Sequence, residues 1–474
     1  MTTTYDAIII GSGPNGLAAA ITIAQQGYKV LVLEAKETIG GGMRTLELTL
    51  PGFKHDICSA IHPLGKGSPF FNQLPLDQYG LEWIQPDVAL AHPFDDGTAV
   101  ALHRSLEETA AQLGIDREAY RRVFQPLVKQ WPKIAHEFLG PLRFPKYPIA
   151  MTNFGLRALW PTTTGAKLAF RTEKARAFFA GMAAHCIMPL EWPLTSAIGL
   201  MLGILGHVVG WPLPKGGSQA IAEAMAAYLR DLGGEIVTNH TVTSLRELPP
   251  HKTLLFDLGP RQLLNIVGDQ FPVGYRRQLS NYRYGPGVFK VDWAVSEPIP
   301  WTAVEPRRAG TVHLGATLNE MAHSERAIWH NQMSDWPYVI VTQQSLFDPS
   351  RAPAGQQTVW AYCHVPHGST ADMISKIEQQ IERFAPGFRD TILAKHTMTT
   401  ADFQRYNPNY IGGDINGGVQ NWRQLFTRPT PRIDPYSTPI NNLVICSSST
   451  PPGGGVHGMC GYFAAQSALR NCLN

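Results

Sequence analysis

At 474 residues the chain exceeds the usual size of a single core, so two interleaved domains are expected. Hydrophobic residues make up 44% and charged residues 16%, which excludes a disordered chain. A formal charge of +3, with no run of five like charges, gives no basis for nucleic-acid binding. The six cysteines (Cys58, Cys186, Cys363, Cys446, Cys460, Cys472) form no CxxC pair, so no metal site is expected, and reduced thiols in a cytosol-like compartment are.

Tyr5–Ile10 is a short apolar run rich in β-branched residues and reads as a buried parallel strand. Gly11-Ser12-Gly13-Pro14-Asn15-Gly16 follows, then a helical stretch from Leu17 to Ala24 ended by Gly27, then a second strand, Lys29–Leu33, that finishes on Glu34 and Ala35. Gly11 allows a tight strand-to-helix turn, Gly13 lets a pyrophosphate approach the backbone, and Gly16 lets helix and strand pack closely. The helix N-terminus, at Pro14 and Asn15, offers amide donors to the phosphates. Glu34 lies about twenty residues past the glycines, where a carboxylate accepts from ribose hydroxyls. With a strand from Tyr5, no presequence is expected.

Ile39-Gly40-Gly41-Gly42-Met43-Arg44-Thr45 adds a second Gly-rich turn. It resembles the GGxxxT stretch of glutathione-reductase-like flavoproteins, which borders the pyrophosphate and flavin, and the resemblance implies FAD as cofactor, with Gly41, Gly42, Met43 and Arg44 beside it. Arg44 is then a phosphate ligand or a counter-charge near the flavin; an arginine on a surface loop is the alternative. In Pro51–Leu64, Phe53, His55 and Asp56 are similar to the F-x-[FH]-D-x-G strand of phytoene desaturase-like flavoproteins, with Cys58 in place of the usual glycine. His62 and Cys58 become candidates for the flavin face, against readings as a turn residue and a buried filler.

From residue 67 to 209 the βαβ rhythm is lost, and Leu106–Leu113, Arg117–Trp131 and Glu173–Cys186 have helical periodicity. Pro141–Pro161 holds four prolines among large apolar side chains. This insertion reads as a substrate lid, its apolar residues serving a lipid-like substrate, a membrane surface or plain domain packing. Ala197–Val209 is shorter than the roughly twenty residues a membrane span needs and holds three glycines and His207, so a buried helix, or one lining an apolar cavity, is expected. The chain reads as cytoplasmic, with peripheral membrane contact as the other option.

Gly216-Gly217-Ser218 precedes an amphipathic helix over 220–232, and a strand is expected over Glu235–Val242. The pattern resembles a family segment in which Val242 would contact the adenine. A further strand, Lys252–Asp257, leads to Leu258-Gly259-Pro260, where the family has a variant of ANADP. Tyr284–Val295 alternates, with Phe289, Val291 and Trp293 on one face and Val288, Lys290 and Asp292 on the other. That second face is either solvated or lines a cavity, and in the latter case Lys290 is a candidate proton carrier. Strands over 311–315, 337–345 and 357–364 and a helix over 371–384 suggest an antiparallel sheet with helices on one side. Asn407–Gly418 resembles the Gly-rich loop that borders the flavin site.

The closing stretch CSSSTPPGGGVHGMCGYFAAQSAL is similar to the family's strand, Pro-Gly loop and helix that face the flavin pyrimidine. It implies contacts from Gly455, Val456 and His457, with His457 the leading side chain beside the isoalloxazine and a structural histidine in a loop as the alternative. Together these motifs resemble the phytoene desaturase-like and carotenoid isomerase-like flavoproteins, and WPLPKGGSQA and YGPGVFKVDWAV look closest to the branch of pyridine nucleotide-disulphide oxidoreductase domain-containing protein two. The implied fold is α/β: a glutathione-reductase-like FAD-binding Rossmann domain (1–66, 210–265 and 435–474) interleaved with a helical lid (67–209) and a substrate-binding sheet (266–434).

No CxxxxC pair and no second strand-GxGxxG-helix unit occur, so disulfide reduction and a dedicated NAD(P) domain are not expected. Electrons would pass to oxygen, a quinone or a bound partner, or return to the substrate. The leading function is hydride transfer at flavin N5 on an apolar, polyene- or lipid-like substrate, with His457, Lys290 and His62 as catalytic candidates. A flavin amine oxidase is the alternative, and a flavin-containing scaffold without turnover is the third reading.

Overall fold

The computed structural model describes residues 4–473. Strand β1 (Tyr5–Ile10) turns through Gly11–Gly13 into α1 (Pro14–Ala24), and β2 (Val30–Leu33) lies parallel beside β1. A hairpin, β3 (Thr45–Glu47) and β4 (Lys54–Asp56), leads away to β5 (Val88–Pro93) and β6 (Ala99–Leu102). A run of helices ends with α2 (Glu173–Ala184) and α3 (Thr195–Val208). The chain returns through α4 (Gln219–Asp231), β7 (Glu235–Val237), β8 (His251–Phe256) and α5 (Pro260–Val267). It leaves again for β9 (Gly287–Val295), β10 (Ala309–Leu314), β11 (Val339–Thr342), β12 (Gln357–Val365), α6 (Ile374–Phe384) and β13 (Ile392–Met398). It closes with β14 (Leu443–Ile445) and α7 (Met459–Ala468).

Five strands make a parallel sheet in the order β14-β8-β1-β2-β7, so three separated stretches of chain build one layer. Its central strands are buried on both faces, which is why they read as continuous apolar runs. Helices α1, α4 and α7 cover one face. Seven strands make the second sheet, in the order β13-β9-β12-β11-β10-β5-β6.

Four expectations change here. The second sheet is mixed rather than antiparallel, because β10 pairs in parallel with β5. Region 67–209 therefore supplies two strands as well as helices; Val88–Pro93 is buried at every position and carries no period-two signal. The strand expected over Glu235–Val242 stops at Val237, since Asn239 takes a positive φ of 55° and turns the chain. The helix expected over Arg117–Trp131 ends at Lys129, and a second begins at Trp131 with Pro132 in its first turn.

Helix α3 is buried along most of its length, and no helix among the described residues is long and apolar enough to cross a membrane. Its one imidazole is satisfied: His207 Nε2 meets Tyr120 Oη at 2.8 Å and Nδ1 donates to the His103 carbonyl at 3.0 Å. Between residues 141 and 168 the apolar groups divide. Phe154 is buried, whereas Leu142, Phe144, Ile149, Leu156, Leu159 and Leu168 face outward, Phe144 at 90% exposure.

Candidate cofactor and substrate site

A cavity of about 700 Å³ runs from the C-terminal edge of the parallel sheet to the face of the mixed sheet. Glu34, Ala35 and Val242 line one end. Gly11, Ser12, Gly13, Pro14 and Asn15 line the next stretch, followed by Gly41, Gly42 and Arg44. Cys58, His62, Tyr410, Gly455 and Val456 surround the middle, and Thr311, Thr342, Trp360 and Tyr362 form the far wall with His185, which follows α2.

The turn after β1 is shaped by close approach. Gly11 has φ 100°, and a Cβ on Gly16 would lie 2.1 Å from the Gly11 carbonyl oxygen. Gly16 does not line the cavity; it lets α1 sit against the turn. Met43 is likewise removed from the cavity and fills the core beside Ile39 and Ile221, a correction to its expected contact with the cofactor. Its place in the Gly41–Met43 turn points the side chain into the core.

Glu34 is held on both oxygens. Oε2 accepts from Ser12 N at 3.0 Å and Ser12 Oγ at 2.5 Å, while Oε1 accepts from Lys36 N at 2.9 Å and pairs with Arg44 Nη2 at 3.2 Å. Arg44 also donates to the Thr38 and Gly41 carbonyls, so this buried guanidinium braces Glu34 and the second Gly-rich turn rather than standing free for a phosphate. Val242 reaches the same end through a loop whose His240 N donates to the Glu34 carbonyl at 2.9 Å. Asp56 fastens the hairpin: its oxygens accept from Thr45 Oγ1, from Ser218 N at the start of α4 and from Arg351, which is buried with it.

The three catalytic candidates fall in different surroundings. His62 lines the cavity, with Nε2 2.8 Å from Ser218 Oγ, which itself donates to the Ser59 carbonyl. Burial pushes its pKa down to about 4, opposed by Asp56, so the ring is a neutral wall element. His457 does not line the cavity. Its Nδ1 accepts from Met459 N at 3.0 Å, and the ring folds back into its own loop, where burial lowers its pKa to about 4 against the pull of Gly453 and Gly454. The loop backbone at Gly455 and Val456 meets the cavity instead.

Lys290 also stands outside the cavity, and the solvated-face alternative is excluded because Val288, Lys290 and Asp292 are all buried. The Lys290 ammonium is bound to Asp292, with His55 at 3.4 Å and His396 at 3.8 Å from the same carboxylate. Burial works to raise the pKa of Asp292, but Lys290 and the two imidazoles outweigh it and hold the group well below the usual range. A lysine with a fixed counter-ion is a structural charge, not a free proton carrier.

Sequence reasoning missed two sets of groups. Asp257, at the end of β8, accepts from Gly16 N at 3.0 Å and lies under the phosphate-binding turn. Burial raises its pKa well above the carboxylate range; the Gly16 and Gly13 amides oppose this and the Glu34 charge reinforces it. The protonated form therefore supports the turn, and that support is lost as pH rises through the raised value. We expect dinucleotide affinity to weaken toward alkaline pH and Asp257→Asn to flatten the dependence at no loss of affinity; equal slopes in binding titrations would contradict this. The second set is a row of imidazoles, His185 just past the end of α2, His313 of β10 and His92 of β5. His185 Nε2 lies 2.8 Å from His313 Nε2, and burial lowers all three pKa values. No spacing in the chain announces them, because the pairing of β10 with β5 and the packing of α2 on the sheet bring them together.

The cavity fits an extended dinucleotide. Asn15 Oδ1 at the start of α1 is buried without a partner, an acceptor open to a hydroxyl or N–H of the cofactor, and the α1 N-terminus, with no acidic residue in its first turn, offers its amides to a phosphate. A family model described as an NAD(P)-binding Rossmann-like domain matches residues 9–74, the βαβ unit that nicotinamide and flavin dinucleotides share. The chain is 25% identical over 560 aligned residues to pyridine nucleotide-disulfide oxidoreductase domain-containing protein 2 of Mus musculus, covering 99% of this chain and 94% of that protein. It is 23% identical to the lycopene-forming phytoene desaturase of Pseudescherichia vulneris, covering 98% of each. The chain is thus similar to phytoene desaturase-like flavoproteins over nearly its whole length. Among solved structures, putrescine oxidase bound to putrescine superposes with a TM-score of 0.63 at 16% identity over 99% of each chain, which shows the shared fold. The chain takes FAD, and we propose that the adenosine end lies at Glu34 and Val242 and the isoalloxazine toward Gly42, Cys58 and Val456.

Proposed function

We propose that this FAD-dependent oxidoreductase acts on an apolar, polyene- or lipid-like substrate, forming, saturating or isomerising a carbon–carbon double bond. The observation that carries the reading is the chemistry of the cavity's far end. Ile61, Leu202, Trp211 and Ile340 line it, and the carboxylates that line the whole cavity, Glu34 and Asp257, both lie at the nucleotide end. An alkylammonium substrate would find no counter-charge there, whereas a hydrocarbon chain gains about 25 cal/mol for each Å² it buries.

Bound FAD supplies an acceptor for a hydride. In a desaturation, one C–H bond gives up hydride, the neighbouring carbon loses a proton and the electrons left behind form the double bond. The chain's own residues hold the substrate between α2, α3 and the mixed sheet and keep water from the reacting carbons. The proton leaves to water or to a group of the wall; His185, which lines the cavity with its Nε2 shared with His313 and its pKa lowered by burial, is a neutral part of that wall, as His62 is. Electrons then pass to oxygen or a quinone. The outward-facing Leu142, Phe144 and Ile149, beside Arg143 and Lys146, support uptake of such a substrate at a membrane surface.

The test is anaerobic mixing of the holoprotein with phytoene in detergent micelles, limonene and a panel of primary amines, followed by the visible flavin spectrum. Bleaching by an unsaturated hydrocarbon and not by amines is the expected result. Bleaching by amines alone, with peroxide released on admission of oxygen, would overturn the reading.

A further inference from the structure

Thr311, Thr342 and Trp360 stand on β10, β11 and β12 as direct register partners, Thr311 opposite Thr342 and Thr342 opposite Trp360. They form one row across the sheet, with neighbouring side chains about 5 Å apart. All three line the far end of the cavity and are only 2%, 1% and 5% exposed. Yet Thr311 Oγ1, Thr342 Oγ1 and Trp360 Nε1 have no hydrogen-bond partner in the protein. Three unmet polar groups in one row are costly to bury, and a cavity meant only for hydrocarbon is better walled by valine and phenylalanine.

The charges nearby are already spent. Lys290, whose ammonium lies 5.6 Å from the Trp360 ring centroid, is bound to Asp292, and Glu325 is paired with His364 at 2.8 Å. His185, on the same wall, shares its Nε2 with His313 and is kept neutral by burial. The wall thus offers hydroxyls and an indole N–H without a free charge.

We infer that the substrate carries a neutral oxygen function, an alcohol or a carbonyl, seated on Thr311, Thr342 and Trp360. This rests on the reading of the site as one for an apolar substrate and narrows it: the molecule is a hydrocarbon chain with a polar anchor, not a bare polyene. The indole donates to the oxygen, and the two hydroxyls rotate to donate or accept according to whether a carbonyl or an alcohol is present.

The experiment uses the FAD-loaded full chain and follows the shift of the flavin spectrum on titration with octane, octan-1-ol, octanal, octanoate and octylamine. Octanol or octanal is expected to half-saturate at a concentration about tenfold or more below octane, with octanoate and octylamine no tighter than octane. Thr311→Val with Thr342→Val, of nearly equal volume, should reduce that preference to about threefold or less. Trp360→Phe serves the same purpose if the double variant does not fold. Equal binding of octane and octanol, or a preference that survives these variants, overturns the polar anchor and leaves the apolar-substrate reading standing. Binding of octylamine or octanoate above all others overturns both.

Discussion

Gly461→Ala is expected to release FAD and to destabilise the fold by about 3 kcal/mol or more. Helix α7 crosses α1 so closely that a Cβ on Gly461 would lie 1.8 Å from the Asn15 carbonyl oxygen and 3.0 Å from Ala19 N. Both are backbone atoms, so no side chain can swing away to make room. The helices must separate, and α1 carries the turn at Gly11–Asn15 while α7 follows the loop at Gly455 and Val456, so both walls of the cofactor cavity move at once. Gly155 is the contrast. It is helical with nothing within 4 Å of its Cβ position, and Gly155→Ala should stabilise by about 0.5–1 kcal/mol. Thermal unfolding and flavin content of the two variants check the pair; an FAD-loaded Gly461→Ala protein of normal stability would contradict the packing described.

Lys290→Met is expected to cost about 3–5 kcal/mol, because it leaves Asp292 buried at 0% exposure without its counter-ion. The sign of the pH dependence identifies the cause. With Lys290 present the Asp292 pKa is depressed, so the pair's contribution is present above the ordinary carboxylate range and lost only as pH falls through the depressed value. In the variant only His55 and His396 oppose burial, so the damage should be greatest at neutral pH and shrink on acidification. Lys290→Met combined with Asp292→Asn should recover much of the loss. If chemical denaturation shows the single and double variants alike, the ion pair is not what Lys290 supplies. An ordinary stability with abolished turnover in Lys290→Met would restore the lysine to the chemistry.

The Rossmann half was legible because its signals are local. A strand, a GxGxxG turn, a helix and an acid follow one another within thirty residues, and Glu34 and Asn15 line the cavity where that order puts them. The mixed sheet was legible as strands but not as a topology. Nothing in Val88–Pro93 shows that it will lie parallel to Ala309–Leu314, more than two hundred residues away. His457 misled for a similar reason. Its place in a Gly-rich loop beside the cofactor was readable, but the direction of its ring depends on the Met459 amide two residues on. Lys290 and Asp292 look like a solvated pair by sequence, since alternation says which side chains share a face and not whether another layer covers it. The far wall was invisible until the register aligned Thr311, Thr342 and Trp360.

The claim beneath all of this is that the 700 Å³ cavity holds one FAD between the Gly11–Asn15 turn, the Gly41–Arg44 turn and the Gly455–Val456 loop. Denaturing the purified protein and identifying the released cofactor by chromatography and mass tests it most directly. The expected result is FAD at close to one molecule per chain, after isolation or after reconstitution of the apoprotein. A protein that takes up no flavin, or that releases a nicotinamide dinucleotide from this cavity instead, would contradict it.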